Sequence, residues 1–374
     1  MLTTEEAKAL SAIPVDEQDP RRRAVRAWLA EHPDPSPREL AEAGYVAPHW
    51  PAPWGQSASP MTQLVIEEEL QRAGARVPMN PNGILFTGPS LLAGGDRSQQ
   101  DRYLPPMLAA DEMWCRLYSE PDAGSDLTAI RTRAELRGDV YVVNGSKLWA
   151  PLAQASAFGG LLVRTSGSPG DAGGLTYLIC PMDAPGLTQR PVRDLAGGFR
   201  FNELFFDDVE LPVANLVGAH DEGLTVALAR SHYERFTTAR GAIFGNGPSA
   251  ADLVAHVSRT DTPLDAETRR RLVQARIDSE VLTYMAITSA AANEAGHDTR
   301  LSERARKIML ERHGRELGFL AGDIFAAQGT LIPAADNAAA MAWHNTFLSA
   351  PTVTIGAGTT ETQLEELARL LLAN

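Results

Sequence analysis

Residues 159–182, GGLLVRTSGSPGDAGGLTYLICPM, read as two apolar strands joined by a loop of Gly, Ser, Pro and Asp. This stretch decides the fold because its neighbours share its character while the more distant chain does not. Before it, DVYVVNG (139–145) alternates apolar and polar residues and stops at an Asn-Gly turn. After it, FRFNELFFDDVELP (199–212) is aromatic and alternating, and ends at Pro212. Residues 112–212 therefore read as a compact β domain of short strands.

On both sides the period changes to that of a helix. In residues 1–111, the Pro-rich stretches HPDPSPREL (32–40), APHWPAPWG (47–55) and VPMNPNG (77–83) divide the chain into short helices. MTQLVIEEELQRAG (61–74) is amphipathic. From 213 onward, Val273, Ile277, Val281 and Met285 recur every four residues, and Leu310, Leu317, Leu320 and Ile324 at seven, three and four. Each set shares one helix face and serves either a bundle core or an interface between subunits. Thr360 and Gln363 form a capping-box pattern ahead of Leu364, Leu367 and Leu371. The expected fold is α+β and multidomain: an N-terminal helical domain (1–111), a central β-barrel-like domain (112–212) and a C-terminal four-helix bundle (213–374). It is not the alternating pattern of a doubly wound sheet.

Composition narrows the function. Of 374 residues, 34 are Lys or Arg and 47 Asp or Glu, a net charge of −13. Nucleic acid and anionic membrane surfaces are therefore poor partners, since both select clustered positive charge. Cys115 and Cys180 are the only cysteines, too few for a disulfide framework or a Cys₄ zinc site, and both sit in apolar contexts. Rossmann and P-loop fingerprints, HExxH, GxSxG and any metal-ligand cluster are missing, so no metal is expected. With no apolar run of ~20 residues and a charged, polar N-terminus, the chain reads as cytoplasmic.

Four motifs remain as carriers of chemistry. WCRLYSEPDAGSD (114–126) places a strand end before a Pro and Gly-Ser turn, offering backbone groups and the hydroxyls of Ser119 and Ser125 to a flat heterocycle and a phosphate. The competing reading is a solvated turn. NGSKLWA (144–150) ends a strand on Trp149, which either lies against a planar ring or fills the core. IGAGTTETQ (355–363) is a Gly-rich approach to a helix N-terminus, suited to polar or anionic groups. HYERF (232–236) sets Glu234 among Tyr233, Phe236 and small apolar residues. A carboxylate in such surroundings is a base near neutral pH, and the plainer reading is a surface pair with Arg235 or Arg230.

Taken together, and in this order, these motifs resemble the acyl-CoA dehydrogenase family from about Ala41 to the C-terminus. Further matching stretches are AGYVAPHWPAPWG, IEEEL, YLPPMLAADE, FFDDVELP and LVGAHDEG. SEPDAGSD followed by NGSKLW about twenty residues later carries most of the resemblance. It implies bound FAD and α,β-dehydrogenation of an acyl-CoA thioester, or of an acyl-carrier-protein thioester. The base takes the α-proton while the β-hydrogen passes as hydride to flavin N5. By motif, Leu117, Tyr118 and Ser119 line the flavin edge, and Gly124 and Ser125 approach the FAD phosphate or the substrate pantetheine. Trp149 and Ala150 cover the other side of the ring, and Thr359 and Glu361 contact FAD near the last helix. Tyr233 and Arg235 accompany the substrate. The resemblance also implies an electron-transfer flavoprotein as acceptor and a homo- or hetero-oligomer.

Many members carry a base Glu directly before the Gly-Thr of the last motif, where this chain has Ala357. A subgroup like the isovaleryl- and long-chain enzymes carries it eleven residues after a helix-starting Gly. Here Gly223 plus eleven is Glu234, followed by Arg235. Three features depart from the family pattern. Pro151 stands where a hydroxyl is common, the Arg-x-Phe-Gly segment is replaced by TPLDAETRRRLVQ (262–274), and DIFAAQGTL (323–331) lacks a Gly pair. They keep two alternatives open: a non-catalytic or half-site subunit of a heteromeric dehydrogenase, and a flavin monooxygenase of the same fold.

Overall fold

The computed structural model describes residues 15–229, 249–260, 262–327, 338–355 and 358–372. They form two compact units that divide near residue 235.

The first unit begins with helices α1 (Pro20–Glu31), α2 (Pro37–Glu42), α3 (Pro60–Arg72), α4 (Gly88–Gly94) and α5 (Arg97–Leu108). The stretch APHWPAPWG breaks the chain between α2 and α3 as expected, whereas other prolines are helix starts. Pro20, Pro37 and Pro60 each occupy the first helical position, where a missing N–H costs nothing. Asp19, Ser36 and Ser59 cap the backbone just inside, and Ser36 with Glu39 makes a full capping box. Pro105 and Pro106 are accommodated inside α5.

Charge is buried among these helices. Arg22, fully enclosed, forms an ion pair with Glu68 at 2.6 Å and donates from Nη1 to Glu69 at 2.5 Å. Glu69 also accepts from Arg26 at 2.7 Å and Arg72 at 3.1 Å. Burial pushes the Glu69 carboxyl up, but these arginines outweigh it and hold the group below its ordinary value. Hydrogen bonds from Arg26 and Arg72 hold Glu17 at about 2, and burial lowers His49 to about 4. All three bind fewer protons folded than unfolded on the acid side, so each contributes stability that is lost as pH falls. The His49 share goes between about 6.5 and 4, and the Glu17 share between about 4.5 and 2. Urea midpoints at pH 7, 5 and 3 are expected to decline in that order, and greater stability at pH 5 than at pH 7 would contradict this account.

The strands form one mixed sheet, ordered β6-β7-β3-β2-β4-β5-β8 with β1 beside β4, and its pairing does not close into a ring. Strands β1 (Trp114–Leu117) and β2 (Arg133–Arg137) run parallel to β4 (Phe158–Arg164), and the other pairs are antiparallel. The stretch 159–182 is the expected pair: β4 and β5 (Leu175–Pro181) lie antiparallel with Leu161 opposite Leu178. Nearly every residue of both strands is buried because one face packs on the helices and the other on the rest of the sheet. β7 (Phe201–Pro212) alternates as read, with a break at Asp207 and Asp208.

The Asn-Gly step departs from expectation. It is not a turn, because β3 runs through it from Val140 to Pro151. Register against β7 shifts between Val143 and Gly145, a bulge. Gly145 has φ +140, and a Cβ there would lie 2.8 Å from the Thr132 backbone. Asn144 donates to Asp208 Oδ1 at 2.8 Å and accepts from the Asp208 N–H at 3.0 Å, which fixes the bulge. β6 (Leu187–Val192) and β8 (Leu216–Val217) complete the sheet, and α6 (Gly223–Leu228) packs on β5.

The second unit contains α7 (Ala250–Thr260), α8 (Ala266–Glu294), α9 (Arg300–Ala327), α10 (Ala338–Ser349) and α11 (Thr360–Leu372). Its core joins Leu253, Leu272, Leu317, Leu320, Ile324 and Trp343. The two sequence stripes separate here. Leu317, Leu320 and Ile324 are core, whereas Val273, Ile277 and Val281 are exposed together with Tyr284. Leu272, Ala275, Leu282 and Ala286 take the inward face of α8 instead. The last helix is capped one residue earlier than the pattern suggested. Thr359 Oγ1 accepts from the Thr362 N–H at 3.2 Å, while Thr360 donates to Glu311 at 2.7 Å and Gln363 accepts from Arg304 at 3.0 Å. Among the described residues no helix is long and apolar enough to cross a membrane.

Candidate active site

β1 ends where the densest motif begins. Leu117 and Tyr118 send their side chains into the core, and Tyr118 donates to the Tyr177 hydroxyl at 3.4 Å. Only their backbone is left to offer a ligand. Ser119 is half-buried. The chain then turns through Glu120 to Ala123, whose backbones exchange hydrogen bonds of 2.8 and 3.2 Å. Gly124 and Ser125 follow exposed, so the solvated-turn reading and the ligand reading share one geometry there. Asp126 closes the turn by accepting from the Thr128 N–H and hydroxyl.

β3 brings the second motif against the first. The Leu148 N–H donates to the Ser119 carbonyl at 2.9 Å. Trp149 is 54% exposed and held at φ +61, next to a second register shift between Lys147 and Ala150. The core-filling alternative for this Trp is thereby excluded. A bulky residue in left-handed backbone is uncommon and persists only where its surroundings enforce it. The Trp149 ring meets Phe201 edge-on at 5.9 Å, and Ala150 is buried beneath.

Beside this segment lies a charge pair that the motif reading passed over. Lys147 is fully buried, and its Nζ donates to Glu120 Oε1 at 2.8 Å and to the Tyr118 carbonyl at 3.0 Å. Glu120 also accepts from the Arg131 and Thr132 N–H groups at 2.7 and 2.9 Å. Burial pushes the Lys147 ammonium down to about 8 against the pull of Glu120. Burial pushes Glu120 up, but Lys147 and the hydrogen bonds prevail and leave it below the ordinary carboxylate range. One ion pair thus ties residues 118–120, 131–132 and 147 together. The sequence signal for it was only a charged residue within each of the two motifs, SEPDAGSD and NGSKLW.

In the second unit, Thr359 stands at the start of α11 and Glu361 is exposed in its first turn. Tyr233, Glu234, Arg235 and Ala357 lie outside the described residues. The helix-starting Gly223 is within them. A Cβ there would lie 2.4 Å from the Thr176 and Tyr177 backbone, so glycine lets α6 touch β5. Both cysteines are buried as small apolar groups, and burial lifts the Cys115 thiol to about 12.

Family models cover nearly the whole length. "Acyl-CoA dehydrogenase, N-terminal domain" matches residues 12–111, "Acyl-CoA dehydrogenase, middle domain" 115–209 and "Acyl-CoA dehydrogenase, C-terminal domain" 221–372. The acyl-CoA dehydrogenase IpdE1 of Mycobacterium tuberculosis is 33% identical over 90% of this chain and 86% of its own. Among solved structures, the ChsE4-ChsE5 complex from Mycobacterium tuberculosis superposes with a TM-score of 0.75 at 26% identity, covering 96% of this chain and 98% of that one. The Tcur3481-Tcur3483 steroid ACAD shares the fold, with a TM-score of 0.77 at 24% identity over 96% of this chain and 99% of that one. The chain therefore belongs to the acyl-CoA dehydrogenase family.

Proposed function

We propose that this protein carries out FAD-dependent α,β-dehydrogenation of an acyl thioester borne by CoA or a carrier protein. The observation that carries the reading is the exposed, left-handed Trp149 beside the clamped Tyr118–Ser119 edge. The fit to a flavin rests on the donor set. An exposed indole offers a flat face, and the Ser119 N–H makes no hydrogen bond to any described residue, which suits a planar ring with acceptors along its edge. Leu117, Tyr118, Ser119, Trp149 and Ala150 would hold the ring, Gly124 and Ser125 its phosphate or the pantetheine, and Thr359 and Glu361 would contact FAD near the last helix.

FAD, when bound, supplies the acceptor for the β-hydrogen, and an electron-transfer flavoprotein then takes the electrons. Glu234 takes the α-proton, with Tyr233 and Arg235 beside the substrate. Hydrogen bonds to the thioester carbonyl lower the cost of the charge that builds there. The relative described as a steroid ACAD puts bulky, steroid-derived acyl chains first in the panel to be tested.

A second reading is favoured by two surfaces. Val273, Ile277, Val281 and Tyr284 on α8, and Leu364 and Leu371 on α11, are all exposed, an arrangement that fits a second chain of the same family. Pro151, at the end of β3, has neither hydroxyl nor N–H to give a flavin. On this reading the chain is one half of an unlike pair. A single experiment separates the two: the visible spectrum of the purified chain after FAD addition, followed by anaerobic titration with short, branched, aromatic and steroid-side-chain CoA thioesters. A yellow protein bleached by one class is the expected result. A protein that stays colourless when alone overturns the self-sufficient enzyme in favour of the paired one.

A further inference from the structure

We infer that Lys147 is a positioning residue that sets the charge felt at the flavin edge, acting through the Tyr118–Ser119 peptide. The inference rests on the reading of residues 117–119 as that edge.

The geometry is specific. Lys147 Nζ donates to the Tyr118 carbonyl at 3.0 Å and, on its other side, to Glu120 at 2.8 Å. The carbonyl of Tyr118 and the N–H of Ser119 belong to one peptide group, and in a trans peptide they point in opposite directions. With the carbonyl aimed at a buried ammonium, the Ser119 N–H is aimed away from it, and it has no partner among the described residues. A cationic donor on a carbonyl polarises the peptide and strengthens the N–H at its other end. The Ser119 carbonyl is already occupied by Leu148, so this N–H is the free polar group of that residue's backbone.

Burial makes the effect large enough to matter. Lys147 has no solvent exposure, and water does not screen it from the peptide. Glu120 is itself held by the Arg131 and Thr132 N–H groups, so the ammonium cannot swing away from Tyr118 without leaving a buried carboxylate unpaired. A strengthened N–H favours whichever form of its acceptor carries more negative charge. For a bound flavin that is the reduced form, so Lys147 raises the reduction potential.

The test is the midpoint potential of the FAD-loaded protein, measured by equilibration with a reference dye. Lys147→Met removes the cation, and the double variant Glu120→Gln/Lys147→Met removes the whole pair without leaving a lone buried charge, so it folds where the single variant fails. In both, the equilibrium constant for reduction is expected to fall roughly tenfold, a shift of ~30 mV to more negative potential for a two-electron couple. Loss of stability with a potential unchanged from the parent overturns the inference and leaves Lys147 as a structural clamp. Failure of the parent protein to take up FAD overturns instead the self-sufficient flavin site on which the inference rests.

Discussion

Replacing Glu234 with Gln is expected to leave FAD bound and to abolish the bleaching of the flavin by substrate. Gln keeps the length and hydrogen bonding of Glu but accepts no proton at neutral pH. A positioned base contributes typically ~10²–10⁴-fold, so turnover should fall by that much. Glu234 lies outside the described residues, and its assignment rests on spacing from Gly223 and on Ala357 standing where many relatives carry the base. The structure supports one premise of that spacing: a helix does start at Gly223, pressed against β5. Its first turn is tied down where the Val226 carbonyl accepts from Ser90 at 3.0 Å. Stopped-flow reduction under anaerobic conditions checks the outcome, and undiminished bleaching in the variant would remove Glu234 from the mechanism.

The second large effect is on stability. Arg22→Ala is expected to cost about 3–5 kcal/mol, because truncation leaves Glu68 and Glu69 buried without the guanidinium between them. Arg26 and Arg72 still reach Glu69 at 2.7 and 3.1 Å, and Arg72 reaches Glu68 at 3.4 Å, but neither is enclosed as Arg22 is. The control is Arg38→Ala, which breaks a pair with Asp111 whose side chains are 72% and 49% exposed. Such a pair contributes under about 1 kcal/mol. Urea unfolding of the two variants side by side should separate them clearly. Equal stabilities would mean that the enclosed cluster carries no more than a surface pair does.

Much of the fold was legible because it is written locally. The paired strands of 159–182, the alternation in 199–212 and the amphipathic 61–74 each declare themselves by period. The Pro-rich stretches marked the breaks between helices, and Pro37 within one of them also starts α2. One local signal misled, and another left two outcomes open. Asn144-Gly145 has turn chemistry but serves a bulge, because Gly145 is needed for close approach to Thr132. The spacing of Val273, Ile277 and Val281 is as regular as any core stripe, yet α8 buries the neighbouring face. Periodicity reports that an apolar face exists, not what covers it.

The candidate site divides in the same way. Motifs in the sequence alone determined the family and the order of helical and strand regions, since each depends on residues close together in the chain. Only the tertiary structure decided that Trp149 faces outward, that the Tyr118 hydroxyl is buried against Tyr177, and that Lys147 and Glu120 are partners. The last two are 27 positions apart, and Arg22 and Glu69 are 47 apart. Whether a charge is buried, and which opposite charge meets it, is set by how distant segments pack. No short window of sequence contains that information.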